Sequence, residues 1–511
     1  MGRECVTWLG EVSIVSLEFP ELPAASVAFS AFRGMDERRM ENRQAPSGLW
    51  ALILVLGPSL IWCGEYIGSG EVILATRTGA ILGSSVLWAV VFIIFLKYCI
   101  GLCGARYTVA TGEGMVDLFA RMPGPKNWLV WVVFLAQLAA GICSIGALLT
   151  AAAMFLDALL PLGRPAWGII TTVCCFAIAW SEGFKILKAV MTLLVSVIVV
   201  GVFYIAAHKL PGWGEFFNGL VGFQVPEIPA WARAQDASLS TSWALLLPLF
   251  GWAAGGFASQ VWYTYWVLGA GYGMARERRW GQAADEARLK ALTRDEAAAV
   301  RPWLKVLTVD ATVACVIGIT VTSAFLLAGA GILHPEQVVP KKEELVPTLS
   351  RVFSSRWSAA GGLVFAAAGA AALVSTQLGQ LAGWPRLLAD CVRNLFPRFG
   401  AVAPTKRFRL FLCLFLVTNL VISQLLGSEP LLLVTAGAVM DGLLLVPLQA
   451  AAVAWGLYVT QKKLLSPEAW ELLKPRPFHA LGLLAAFLAS SYVCIFRVPA
   501  MLMELWAKLT G

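Results

Sequence analysis

A hydrophobic helix that breaks in mid-run is the feature that most limits what this chain can fold into. Leu52 to Tyr66 reads LILVLGPSLIWCGEY, and Gly68, Ser69 and Gly70 interrupt the run before EVILATRTGAILG resumes it. Glu65 and Glu71 flank the interruption. Hydrocarbon offers no partner to a freed backbone N–H or C=O. Irregular backbone at that depth is tolerated only where protein or a water-filled cavity surrounds it. Broken helices of this kind carry the substrate sites of secondary transporters, and a carboxylate within one is costly enough to imply a function.

The remainder of the chain has the composition of a membrane protein. Of 511 residues, 59% are apolar and 14% charged, and mean hydropathy is +0.74. Apolar stretches of about 18 residues or more recur along most of the length. The expected fold is an all-α polytopic membrane protein with about eleven transmembrane helices. They fall near 48–81 (broken), 84–110, 127–158, 165–180, 184–207, 241–269 (broken), 303–332, 357–380, 408–426, 430–457 and 478–497. The net charge of +8 is dispersed between apolar spans, so it does not point to nucleic acid. The eleven Cys residues form no CxxC pair and no zinc-type spacing. No nucleophile elbow, phosphate loop or metalloprotease pair is present, so neither an enzyme nor a cofactor is expected. His208, His334 and His479 lie at span ends, which argues against a central histidine proton relay.

Lys and Arg place the N-terminus in the cytoplasm and the C-terminus outside. Of the 39 basic residues, 28 fall on the side of the N-terminal tail, 8 on the opposite side, and Arg77, Lys97 and Arg497 within spans. The strongest cytoplasmic segment, a charged loop, is 274–305. Residues 1–47 read as a cytoplasmic tail with a basic cluster at Arg33, Arg38, Arg39 and Arg43. The segment holds no clean signal-peptide core, and Met35 and Met40 are candidate translation starts. Residues 458–511 read as a cytoplasmic loop, the eleventh span and a short C-terminus.

The sixth span repeats the break of the first. Gly251, Gly255 and Gly256 cluster with Ala253 and Ala254 inside an apolar run. Interruptions five spans apart are the expected mark of an inverted repeat, with halves at about 48–207 and 241–457. The bland alternative is that small residues allow close helix packing.

The candidate binding residues are Glu65, Gly68, Ser69, Gly70, Glu71, Gly255 and Gly256. Glu65 and Glu71 supply hard oxygen ligands for a cation, and Glu71 is equally placed to cap the second half-helix. Asp441, in the apolar run VTAGAVMDGLLLVPLQ, is a candidate for ion or proton coupling. Gln137, Gln377 and Gln380 are candidates for the path. Asp310 sits nearer a span end and reads as structural. Lys97 and Arg77 are embedded cations that require partners, with Glu65 and Glu71 as the obvious possibilities.

These segments resemble the natural-resistance-associated macrophage protein (NRAMP) family of proton-coupled divalent-metal transporters. GPSLIWCGEYIGSGEVILATRTGA is similar to the family's first span, KYCIGLCGARYTVATGEGMVD to the end of its second, and SEGFKILKAVMTLLV to its fifth. The resemblance implies a five-plus-five inverted repeat of the leucine-transporter type. It also implies alternating access around spans one and six, and a divalent cation as substrate, with protons as the coupling ion. The chemistry departs from the family. Its Asp-Pro-Gly-Asn motif is replaced by Gly68, Ser69, Gly70 and Glu71, and its Met-Pro-His motif falls near Gly255, Gly256 and Phe257. Without the thioether, the expected cargo is a hard cation such as Mg²⁺ or Mn²⁺. Two other readings remain: a transporter of amino acids or small organic solutes, and a non-transporting membrane sensor or accessory protein.

Overall fold

The computed structural model describes residues 45–500 and 503, apart from 47, 49–54, 209–211, 238, 279, 341–358 and 426–429. The tail, its basic cluster and the expected starts at Met35 and Met40 lie outside the described residues. Among the described residues there is no strand.

Helix α1, Pro58–Tyr66, starts where Pro58 supplies a fixed φ at a position needing no N–H donor. It stops where Ile67 turns extended. A π-helical turn, Gly70–Ala75, leads into α2, Thr76–Leu82. The interruption therefore centres on Ile67 and Gly68, slightly earlier than expected, with Ser69 and Gly70 already opening the second half. Gly83, at φ 71°, turns the chain into α3, Leu87–Thr111. Then come α4 (Trp128–Leu159), α5 (Arg164–Trp180) and α6 (Phe184–His208). The second interrupted helix is α7, Ser242–Trp252, followed by α8, Phe257–Ala270. Helix α9, Arg294–Ala328, opens with a Thr293–Glu296 capping box. The remaining long helices are α10 (Ala359–Leu395), α11 (Pro404–Leu425), α12 (Pro430–Gly442), α13 (Val446–Trp455) and α14 (Pro477–Tyr492).

Eight helices among the described residues are long and apolar enough to cross a membrane, and Arg164–Trp180 is a shorter apolar helix. Burial separates centre from rim. The most apolar window of Ser242–Ala270 is 94% buried, that of Pro477–Ala500 only 17%. Helix α1 packs against α6, α8, α9 and α10, and the π turn against α7 and α9. The two interrupted helices thus form the axis of the bundle, and α14 faces outward.

Three features differ from the sequence expectation. Helix α10 runs past residue 380 to Leu395. Arg386, taken as a loop charge, is buried there with its guanidinium 4.6 Å from the Phe408 ring centre and 5.6 Å from those of Trp266 and Trp280. Cation–π contact replaces hydration for that charge. The tenth span is itself interrupted between Gly442 and Val446, beside Asp441. Arg77 pairs with Asp236 at 2.8 Å and donates to the Pro340 carbonyl, not to Glu65 or Glu71.

Helices α2 and α9 touch backbone to backbone. A Cβ on Gly79 would lie 2.0 Å from the Leu326 carbonyl oxygen, and one on Gly329 would lie 2.1 Å from that of Thr76. Backbone cannot step aside as a side-chain tip can. Gly79→Ala is therefore expected to cost about 1–3 kcal/mol, seen as a lowered Tm of the detergent-solubilised protein. Gly168→Ala, with nothing within 4 Å of its Cβ, serves as the control and should be neutral or slightly stabilising. Equal melting of the two variants would remove the crossing as a constraint.

Ion pairs close one end of the bundle. Glu113 holds Arg121 through two bonds of 2.6 and 3.0 Å, and Arg121 reaches Glu286 at 2.7 Å. Hydrogen bonding to Arg121 holds the Glu286 carboxyl below its ordinary range. Arg393 bridges Asp117 and Asp390.

Candidate functional site

Both interruptions leave backbone groups without helical partners, and each such group needs one in this interior. In the first, Ile67 N–H bonds the Cys63 carbonyl at 3.0 Å, and the Thr376 hydroxyl donates to the Ile67 carbonyl at 3.0 Å. Gly68 N–H donates to Glu71 Oε2 at 2.8 Å. Glu71 therefore reaches back and caps the second half-helix, while its Oε1 is buried with no hydrogen-bond partner among the described residues. Gly68 cannot be replaced by the family's Asp as the helices stand, because its Cβ would lie 2.3 Å from Thr376 Oγ1.

The second interruption is held by α3. Lys97 Nζ donates to the carbonyls of Gly251 at 2.6 Å, Ala253 at 3.0 Å and Gly255 at 2.5 Å. Gln260 Nε2 donates to the Ala254 carbonyl at 3.1 Å. Lys97 thus finds its partners in backbone oxygens, not in Glu65 or Glu71 as expected. Gly255, one of the candidate binding residues, thus has its carbonyl already holding an ammonium.

Three carboxylates gather around the paired breaks. Glu65 accepts a bond from the Ser259 hydroxyl, which in turn accepts from Trp62 Nε1 at 3.0 Å. Asp441 Oδ1 accepts from Gln137 Nε2 at 2.8 Å and from Ala258 N–H at 3.1 Å. The second donor lies in the first turn of α8, where the helix dipole favours negative charge. Gln137 is itself oriented by Trp384 Nε1, 2.8 Å from its Oε1. Gly256 leaves room for this arrangement, since a Cβ there would lie 1.7 Å from Asp441 Oδ2. Gly379 of α10 does the same for Glu65, with a would-be Cβ 2.1 Å from the Glu65 Cβ.

A small cavity lies between the breaks. Its polar lining comes from Glu65, Ser69, Ser259, Thr376, Gln380 and Asp441, and Tyr66, Trp252 and Trp262 form its aromatic wall with Gly70, Gly255 and Gly256. About 10 Å³ is open to the centre of a water molecule, which is room for about one water. The lining contains no thiol, thioether or imidazole. Among the described residues no three His, Cys, Asp or Glu side chains are grouped to hold a metal ion.

The structure brings together Glu65, Ser69, Gly70, Gly255, Gly256 and Asp441. Glu71 is absent from the lining, so the second carboxylate of the cavity is Asp441. Gln137 supports Asp441 from behind. Gln377 is fully buried and does not line the cavity, and neither of its polar side-chain atoms has a partner among the described residues. Sequence reasoning missed Ser259 and Thr376. Their only signal was a hydroxyl in an apolar helix, which is too common to single out.

The chain matches the family described as natural resistance-associated macrophage protein-like over residues 59–246. Among curated relatives, it is 28% identical to "Metal transporter Nramp3.1" of Populus trichocarpa over 181 residues, which is 34% of this chain and 36% of that one. It is 33% identical to the "Divalent metal cation transporter MntH" of Yersinia enterocolitica over 79 residues, 15% of this chain and 19% of that one. The match therefore spans about a third or less of the length of these relatives. Among solved structures, the Eremococcus coleocola manganese transporter superposes with a TM-score of 0.65 at 15% identity, covering 91% of this chain and 93% of that one. Mhp1, a nucleobase-cation-symport-1 family transporter, superposes with a TM-score of 0.51 at 15% identity, covering 88% and 91%. These likenesses show the fold: two interrupted helices at the centre of a helical membrane bundle.

Proposed function

For this chain, which matches the natural resistance-associated macrophage protein-like family over residues 59–246, we propose the function of a secondary transporter that moves a divalent cation through the cavity between its interrupted helices. One observation carries the reading. Two carboxylates from different helices, Glu65 and Asp441, line a cavity of about one water's size at the most buried place in an apolar bundle. Such charges are rare in membrane interiors and mark ion paths. The names of the relatives, metal and manganese transporters, support it.

The donor set favours a hard cation as cargo. Carboxylate, hydroxyl and amide oxygens suit Mg²⁺ or Mn²⁺, whereas thioether and thiolate would select softer ions. Gln380 Oε1, buried without a partner among the described residues, is a further oxygen for the ion or a water it retains. The small cavity disfavours an amino acid in this conformation. The positive-inside count supports a cytoplasmic N-terminus and an external C-terminus, and alternating access follows from rocking of the bundle around the breaks.

Purified protein in liposomes should take up Mn²⁺ and Mg²⁺ saturably. Glu65→Gln should lower uptake by about tenfold or more, the equivalent of about 1.4 kcal/mol of lost binding. Lumenal pH recorded in the same vesicles decides coupling, with acidification or alkalinisation tracking uptake if protons move. Amino-acid flux without cation flux would replace the reading. Cation binding without any flux would make the protein a sensor.

A further inference from the structure

We propose that the Lys97 ammonium is a tethered cation, filling a three-carbonyl cage in the second interrupted helix where a free monovalent cation would otherwise bind. The cage is built for a cation. An ammonium has three N–H donors, and each has its own carbonyl, at 2.5, 2.6 and 3.0 Å. Those carbonyls come from Gly251 in the last turn of α7 and from Ala253 and Gly255 in the unwound segment that follows it. Two consecutive residues there, Ala254 at φ 57° and Gly255 at φ 70°, take the left-handed conformation. A non-glycine residue rarely does so without an external constraint. The strained turn aims the oxygens inward at one point. Gly251 is packed against the Ala438 carbonyl, 2.2 Å from where its Cβ would stand, so the cage is also held from behind.

Lys97 is 1% exposed and forms no ion pair with a described carboxylate. Its charge is satisfied by backbone dipoles in the way that unwound carbonyls satisfy a bound metal ion. Glu71 and Asp441 are the acidic groups near enough to act on it electrostatically. The tether removes one diffusible ion from the binding inventory. The cavity lined by Glu65 and Asp441 is then the one place near the breaks where a free cation is taken, and filling it needs no companion ion in the cage. The inference stands apart from the identity of the cargo, because its readout is stability and not flux.

The test uses full-length protein in detergent, melted in choline, sodium, potassium, methylammonium or tetramethylammonium chloride at one ionic strength. Wild-type Tm should agree across all five salts to about 1 °C. Lys97→Ala should melt about 5 °C lower in choline and regain at least half of that loss in methylammonium or potassium. Tetramethylammonium, which has no N–H and is too bulky for the cage, should not restore it. Lys97→Met fills most of the side-chain volume without charge and should stay low in every salt. A cation-specific shift in the wild type would overturn the proposal, because it would show the cage open to solvent ions. So would a Lys97→Met protein with wild-type Tm, or a folded Lys97→Ala protein indifferent to the salt. If Lys97→Ala cannot be purified, the wild-type and Lys97→Met arms still decide.

Discussion

Asp441→Asn is expected to lower cation uptake by roughly ten- to a hundredfold while leaving the protein folded. The carboxylate accepts from Gln137 and from the first turn of α8 through Oδ1, and these two donors hold it at the cavity. Asn keeps one acceptor oxygen and nearly the same shape, so both bonds can persist. What it loses is the second carboxylate charge of the cavity that Glu65 also lines. Hydrogen bonds and ion contacts of charged groups are worth about 1.5–3 kcal/mol, which sets the factor. The measurement is initial Mn²⁺ uptake in liposomes, read beside the Tm of the same preparation. Full uptake by Asp441→Asn would remove Asp441 from the site. Gln137→Leu tests the support behind it. It strands the buried Trp384 indole N–H and frees the carboxylate to turn, so uptake should fall with a smaller factor than for Asp441→Asn. A Gln137→Leu protein with unchanged uptake would mean that α8 alone positions the carboxylate.

Much of the architecture was legible because the solvent is hydrocarbon. Apolar runs mark helices, and three glycines at 251, 255 and 256 inside one such run mark a break, since each glycine costs a helix interior about 1 kcal/mol relative to alanine. The partners of the breaks were not legible. Lys97 lies 154 residues before Gly251 and Asp441 lies 304 after Gln137; no local pattern joins them. An embedded lysine suggests a carboxylate partner by charge alone. Here the nearest acceptors are backbone oxygens, which every residue carries and no sequence distinguishes. Glu71 illustrates a second limit. Its position three residues after Gly68 fits both a cap and a ligand, and only the direction of one side chain, toward the Gly68 N–H, separates them. The extension of α10 to Leu395 failed for a third reason. Arg386 looks like a loop charge until the rings of Trp266, Trp280 and Phe408 are seen around it. The interruption beside Asp441 falls in Leu443, Leu444 and Leu445; its signals, Gly442 before it and Pro447 at the start of α13, were in the sequence but were masked by the unbroken apolar run.

Asp310→Ala is expected to be the most destabilising single change, at about 3 kcal/mol or more. Asp310 Oδ1 accepts from the Gly57 N–H at 3.3 Å and the Ser59 hydroxyl at 2.8 Å, and Oδ2 from the Tyr263 hydroxyl at 2.9 Å. One carboxylate of α9 therefore caps the start of α1 and ties it to α8. Alanine would leave three buried donors unmatched, each costing about 1–3 kcal/mol unless water enters. Asn keeps an oxygen toward α1 and offers N–H to the Tyr263 oxygen, so Asp310→Asn should lose less than half as much. The Tyr66 hydroxyl donates to the Ala314 carbonyl at the other end of α1, so α1 is fastened to α9 at both ends. Rocking of the bundle would then carry α1 and α9 together, and loosening one fastening should cost stability before it alters cargo choice. Thermal melts of the three proteins in detergent, with Mn²⁺ and Ca²⁺ uptake measured below the lowest Tm, separate the two effects. Asp310→Ala should show a Tm several degrees lower with an unchanged ratio of Mn²⁺ to Ca²⁺ uptake. A changed ratio at unchanged Tm would place Asp310 in the ion path instead.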